Sequence, residues 1–231
     1  AMRFEMGVEL ARQIEGATFQ VKPVSAVTNS LVFGVGALVL AMPMGVLIAV
    51  LSTREFVGSR LSEAVLMAPL AVSGIVVGLG LLQGLVFGTE VFGHRLTATG
   101  PVAIVAAHAV AAYPFVTRNV LPMLRSVDPH LLESARSLGA SRFRAFADVE
   151  VPLVVPGHLA GAAFAFAISI GEFDSTIILA EGSASYTMPV AVERYLGNRT
   201  LGPATAMGTV LLAVTAVSFV VIDRMGGRYE P

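Results

Sequence analysis

The 231-residue sequence has no cysteine, no tryptophan and a single lysine, Lys22, among its 15 basic residues. Without cysteine there is no disulfide framework and no thiolate metal centre, and the redox compartment is left open. A formal net charge of -1 removes the basic footprint of a nucleic-acid binder, so no nucleic-acid partner is expected. Charged residues make up only 13% of the chain, against about 25% in an ordinary soluble domain. No Gly-x-x-x-x-Gly-Lys-Ser/Thr loop occurs, so the chain cannot bind and hydrolyse ATP in the P-loop manner by itself. His-Glu-x-x-His and Gly-x-Ser-x-Gly are absent too, and the run Gly171-Glu172-Phe173-Asp174 lacks a second positioned carboxylate on another span, which weighs against an intramembrane enzyme.

What remains is apolar: 55% hydrophobic residues and a mean hydropathy of +0.78. Such a chain cannot cover itself with polar surface, so lipid is its expected solvent. The spacing predicts five transmembrane helices and an all-α, polytopic membrane fold. Residues 30–51 carry no charge and are long enough to cross about 30 Å of hydrocarbon, with Pro43 tolerable in a bundle. The second run, 64–87, holds Gly74, Gly78, Gly80 and Gly84, small residues that let helices approach closely in lipid. The third run, 99–116, is shorter and holds His108 and Pro114; the fourth covers 153–180 and the fifth 203–222.

The organisation expected is an amphipathic or polar arm over 1–28, a membrane domain over 29–224 with a polar loop over 117–152, and a tail over 225–231. In the arm, Phe4, Val8, Ala11 and Ile14 lie at helical spacing before Gly16, and no signal-peptide core is present. The chain opens on Ala1 and its first span comes late, which fits an internal segment of a longer, two-lobed parent as well as a start. The positive-inside rule orients the bundle. Arg54, Arg60, Arg118, Arg125, Arg136, Arg142, Arg144, Arg224 and Arg228 share one side and Arg95, Arg194 and Arg199 the other, so the polar loop and the C-terminus are expected in the cytoplasm.

That loop is the most informative stretch. Asp128 before Pro129 reads as an N-cap with proline at the first helical position, Leu131, Leu132, Ala135 and Leu138 form one apolar face, and Gly139 supplies the stop. Ser141 is placed to cap a second short helix over 142–147, with Phe143 and Phe146 on one side. Two amphipathic helices in water need a partner for their apolar faces.

The loop resembles that of the permease subunits of type I ATP-binding-cassette importers. In those, Glu-Ala-Ala is followed by three residues, a glycine, nine residues and Ile-x-Leu-Pro. Here Glu133-Ser134-Ala135, Gly139 and Val149-Glu150-Val151-Pro152 keep the spacing, with Ser134, Val149 and Val151 as conservative departures and Glu150 as an unusually polar one. The stretches 69–80 and 107–116 and the cluster Gly171-Glu172-Phe173 are similar to the branch serving molybdate, tungstate, sulfate, thiamine and ferric iron. The resemblance covers about residues 29–224.

What it implies is a prokaryotic inner-membrane transport subunit without an active site or bound cofactor. ATP and Mg would be bound by a separate P-loop ATPase dimer, with a second permease half and an external substrate-binding protein as further partners. The resemblance also implies that Glu133, Ser134, Ala135, Arg136, Leu138, Gly139, Ala140, Arg142 and Pro152 belong to the ATPase-coupling loop. For the translocation path, the candidates are Gly171, Glu172, Asp174 and His108. A carboxylate deep in an apolar run costs roughly 2.5–3.5 kcal/mol on insertion scales, so Glu172 either faces the path or pairs with a basic or hydroxyl group to hold helices together. His108 has three readings: path residue, proton-sensitive site, or helix-to-helix hydrogen bond, the last favoured for a single histidine. Two acids suit a cation by charge. A secondary transporter or channel is the rival class, but no internal repeat supports it.

Overall fold

The computed structural model describes residues 21–53, 67–91 and 94–226. The arm before residue 21, and with it the expected helix over Phe4 to Ile14, lies outside the described residues. The described chain is all-α apart from one short hairpin.

Helix α1 (Pro23–Ser52) contains Pro43 and spans 30 residues, about 45 Å at 1.5 Å per residue. A 3₁₀ turn, Ala68–Ala71, follows, and then α2 (Gly74–Leu81), prolonged by a π turn over Leu82–Val86. Strands β1 (Thr89–Val91) and β2 (His94–Leu96) pair antiparallel, with Glu90 opposite Arg95. Helix α3 runs Gly100–Ser126, and α4 (Pro129–Ser137) and α5 (Arg142–Ala145) form the polar segment. A π turn, Phe146–Glu150, leads into α6 (Val151–Gly171). The remainder is α7 (Asp174–Leu179), a 3₁₀ turn at Ser183–Ser185, α8 (Met188–Gly197) and α9 (Leu201–Gly226).

Among the described residues, four helices are long and apolar enough to cross a membrane: Pro23–Ser52, Gly100–Ser126, Val151–Gly171 and Leu201–Val221. The second expected span is the exception. Pro69 sits at the start of a 3₁₀ turn that ends on an extended Val72, and only Gly74–Val86 continues as helix. Thirteen residues reach about 20 Å, short of the ~30 Å hydrocarbon core. The fourth expected span is also broken, because α6 stops at Gly171 and a separate turn of helix begins at Asp174. Conversely, α3 runs ten residues past the third expected span, so residues 117–126, which composition assigned to the loop, are helical. Val116, Thr117, Val120 and Leu121 are buried there, a packing that their mixed polarity did not announce.

The chain divides into two compact units, whose boundaries fall inside α1, α3, α6 and α9 and just before α2. One unit comprises Ala1–Gly34, Gly74–Ala107 and Ile170–Thr215. Its core gathers Phe33, Ala103, Ile104, Ala107 and Leu179, with Val77 and Leu81 packed against them. Gly74 is needed here: a Cβ on it would stand 2.8 Å from the Asp174 Cβ and 3.1 Å from Glu172 Oε1. Asn29 Nδ2 donates to the carbonyls of Ala184 (2.8 Å) and Tyr186 (2.9 Å), Met188 N donates to Ser30 Oγ (2.8 Å), and Tyr195 Oη donates to the Val21 carbonyl (2.9 Å). These bonds fasten the 184–195 segment to the start of α1.

The other unit comprises Val35–Ser73, His108–Ser169 and Ala216–Pro231. Its core is built from alanines of α1 (Ala37, Ala41, Ala49) against α3 (Ala109, Ala112, Val116, Val120) and Ala165 of α6. Backbones approach closely because glycines face α3 from both sides. A Cβ on Gly45 would stand 2.5 Å from the Val116 Cβ, and one on Gly161 would stand 3.0 Å from the Val116 Cα. Small residues at a helix interface are how membrane bundles gain dispersion contacts where lipid offers no hydrophobic drive.

Candidate functional site

The segment between α3 and α6 is built by local rules. Asp128 Oδ1 accepts the His130 N–H at 2.9 Å, and Pro129 occupies the first turn of α4. An N-cap of this kind stabilises a helix by about 1 kcal/mol. The other end is a Schellman closure: Ala140 N donates to the Ala135 carbonyl at 3.0 Å and Gly139 N to the Arg136 carbonyl at 2.9 Å. Gly139 has φ +90°, the region in which an L side chain is strained. Among the described residues no atom beyond its chain neighbours lies within 4 Å of a Cβ built on it, so its requirement is conformational and not steric. Ser141 Oγ then accepts the Arg144 N–H at 3.2 Å and starts α5. Both predicted caps and the predicted stop are therefore in place.

The side chains on this segment face outward. Leu138 is 90% exposed and Phe143 79%, and Leu131 and Phe146 are also exposed. A shallow cavity of about 460 Å³ lies against His130, Glu133, Ser134, Ser137 and Leu138. His130 Nδ1 and Glu133 Oε2 are 3.5 Å apart, both largely in solvent, where such a pair contributes little. Ser134 and Arg136 are exposed, Ala135 and Ala140 half-buried. The side chain of Arg142 lies outside the described residues. Pro152 is exposed as the second residue of α6. Of the nine residues expected in this loop, eight lie along Glu133–Arg142, the stretch that carries the exposed Leu138.

Glu172 is half-buried, and its Oε1 accepts both the Ser175 N–H (2.8 Å) and the Ser175 hydroxyl (2.5 Å). The carboxylate therefore turns back on its own segment, occupies the gap between α6 and α7, and satisfies a backbone donor freed by the helix break. A hydroxyl partner was one of the sequence alternatives, though here it lies three residues away and not on another long helix. Gly171 ends α6 with open space where a Cβ would sit, and Asp174 begins α7 beside Gly74. His108 is fully buried, and its Nδ1 lies 2.8 Å from Ser169 Oγ. That contact joins α3 to α6, the helix-to-helix bond favoured for it. Among the described residues no group of three or more His, Cys, Asp or Glu is placed to hold a metal ion.

Three features escaped sequence reasoning. The clamp by Asn29 and Ser30 was visible only as two polar residues at the head of an apolar run. Arg194 and Tyr186 were legible as near neighbours in one outer loop, but not their stacking, with the guanidinium 5.3 Å from the ring centroid. Arg118 and Asn119, lining a cavity with Phe115 and Phe164, were hidden because the stretch was read as loop.

Residues 41–230 match the family described as "Binding-protein-dependent transport system inner membrane component". The molybdenum transport system permease protein ModB of Haemophilus influenzae is 29% identical over 205 residues, covering 85% of this chain and 89% of that protein. ModB of Escherichia coli is 32% identical over 195 residues (81% and 84%), and the sulfate transport system permease protein CysT of Escherichia coli 28% over 222 residues (92% and 77%). Among solved structures, a bacterial alginate ABC transporter in complex with its alginate-bound periplasmic protein shares the fold at TM-score 0.71, 18% identity and coverage of 99% and 88%. The inward-facing MetNI methionine ABC transporter does so at TM-score 0.67, 18% identity and coverage of 90% and 94%. With apolar helices of spanning length and a family model matching most of its length, the chain belongs to the binding-protein-dependent transport system inner membrane components, the permease subunits of ABC importers.

Proposed function

We propose that this permease forms half of the path for a small oxyanion of the molybdate and sulfate type, and that its 128–150 segment is the seat of a separate ATPase. The observation that carries the second statement is the pairing of fixed backbone with exposed apolar side chains. Two helices capped at their ends hold Leu138 and Phe143 out into solvent, and a rigid apolar knob ringed by polar side chains is what a protein partner buries. ATP and Mg are bound on that partner, where the ATP is hydrolysed, and the second permease half is a second copy or another lobe. The external substrate-binding protein meets the opposite face. Support for the cargo comes from the relatives, named for molybdenum and sulfate transport.

The test is a paired substitution. Leu138→Asp with Phe143→Asp should cut the ATPase recovered with the tagged permease by a factor of about 30 or more, the loss of at least ~2 kcal/mol at a hot spot. Undiminished recovery from an intact membrane fraction contradicts the seat. Uptake of labelled molybdate and sulfate, set against thiamine and ferric iron, tests the cargo, and import of only the cations contradicts it.

A further inference from the structure

A cavity of about 320 Å³ is lined by Phe115, Arg118 and Asn119 of α3 and Phe164 of α6, all in one compact unit. Arg118 is exposed, eight residues before the end of α3 that leads into the capped segment. Among the described residues no carboxylate pairs with it. An arginine on a helix of membrane-spanning length is uncommon, and such residues mark ion or substrate pathways. Asn119 Nδ2 donates one hydrogen to the Phe115 carbonyl at 2.8 Å, which orients the amide. An amide nitrogen carries two, and the other has no acceptor among the described residues. Phe115 and Phe164 stack with centroids 6.5 Å apart, and Phe164 meets Phe219 edge-on at 5.8 Å, giving the cavity an apolar wall.

We infer that Arg118 and Asn119 form an oxyanion-binding station in this cavity, through which the transported anion passes. The planar guanidinium offers parallel N–H donors that match two oxygens of a tetrahedral anion, the amide offers another, and the phenylalanine side chains give the cavity an apolar flank. With one full charge and one amide the site holds an anion briefly, as a path must: favourable enough to enter, weak enough to leave. The inference rests on the oxyanion reading of the cargo. A lipid phosphate presents the same oxygens, and the experiment separates the two sources.

The chain has no cysteine, so a Phe164→Cys variant reports on the cavity without background. The complete transporter, with ATPase and binding protein, is placed in vesicles of zwitterionic lipid and treated with a methanethiosulfonate reagent, labelling being read on the separated permease. Molybdate or sulfate should slow labelling at least fivefold, and adding Arg118→Gln should abolish that protection. In the Phe164 background, Arg118→Gln should lower oxyanion uptake at least tenfold and Arg118→Lys about threefold, with ATPase co-purification confirming assembly. Protection that survives Arg118→Gln, or uptake that does, overturns the station. Slowed labelling only in vesicles with anionic phospholipid, with no response to the oxyanions, assigns the cavity to lipid and overturns it as well. If the wild type imports no oxyanion, the cargo reading and the station's place on the path fail together; if it imports oxyanions with protection and uptake independent of Arg118, the station fails alone.

Discussion

The segment from Asp128 to Glu150 and the segment from Ile170 to Met188 both interrupt apolar helices, and they do so by opposite means. In the first, short-range bonds close every turn: Asp128 to His130, Ala135 to Ala140, Ser141 to Arg144. Its Leu131, Leu138, Phe143 and Phe146 side chains are left exposed. In the second, polar side chains are drawn inward: Ser175, Thr176, Ser185 and Thr187 are buried, and Glu172 folds back onto Ser175. Stability in the first is local and its surface is unfinished. In the second, stability depends on neighbours such as Gly74 and Ser30. A segment of the first kind leaves a surface open, which is why it is proposed as the partner's seat, and one of the second kind holds this chain together.

Substitutions should therefore act on different observables in the two places. The largest effect is expected at Gly74. Gly74→Leu drives a side chain into Asp174 and Glu172 and should destabilise the permease by about 3 kcal/mol or more, read as loss of monodisperse protein in detergent. Gly139→Leu, which meets open space, should spare thermal stability to within the ~1–2 kcal/mol cost of a left-handed backbone. It should still uncouple ATP hydrolysis from uptake. Equal losses of folded protein from the two would break the distinction.

Next in size is Glu172→Gln. The amide oxygen can still accept from Ser175, but a charge-assisted bond becomes a neutral one, so about 1 kcal/mol of stability should go. Wild-type uptake in this variant would remove Glu172 from the path and leave it as a helix-break brace. Gly139→Asn should then be milder than Gly139→Ala, because asparagine tolerates the left-handed region; the reverse order in coupled uptake would deny that φ at this position matters. The smallest change is Asp128→Ala, about 1 kcal/mol from one lost cap, measurable as faster proteolysis of the 128–138 helix and as weaker ATPase retention.

The same contrast explains what could be read from the sequence. Asp128, Pro129, Gly139 and Ser141 declare their structure because each acts on residues two to five positions away. Long apolar runs declared α1, α3, α6 and α9 for the same reason. The second run was not seen to be broken because a sum of hydropathy does not see a 3₁₀ turn started by Pro69 and ended by an extended Val72. Glu172 was legible as a costly group, but its partner was not, since nothing in Gly-Glu-Phe-Asp-Ser says which hydroxyl it meets. Of Gly74, Gly78, Gly80 and Gly84, all read as contact residues, Gly74 and Gly78 have a close neighbour and Gly80 none within 4 Å. Pairings over 150 residues, such as Asn29 with Tyr186, need the fold itself.

The account depends on the capped segment being gripped from the cytoplasm by an ATPase. A single cysteine at Leu138, in a chain that otherwise has none, measures this directly in sealed, right-side-out vesicles carrying the assembled transporter. An impermeant thiol reagent outside should leave it unlabelled, and a short bifunctional cross-linker that crosses the membrane should join the permease to the ATPase. Labelling from outside, or no cross-link in a transporter that still turns over, would contradict it.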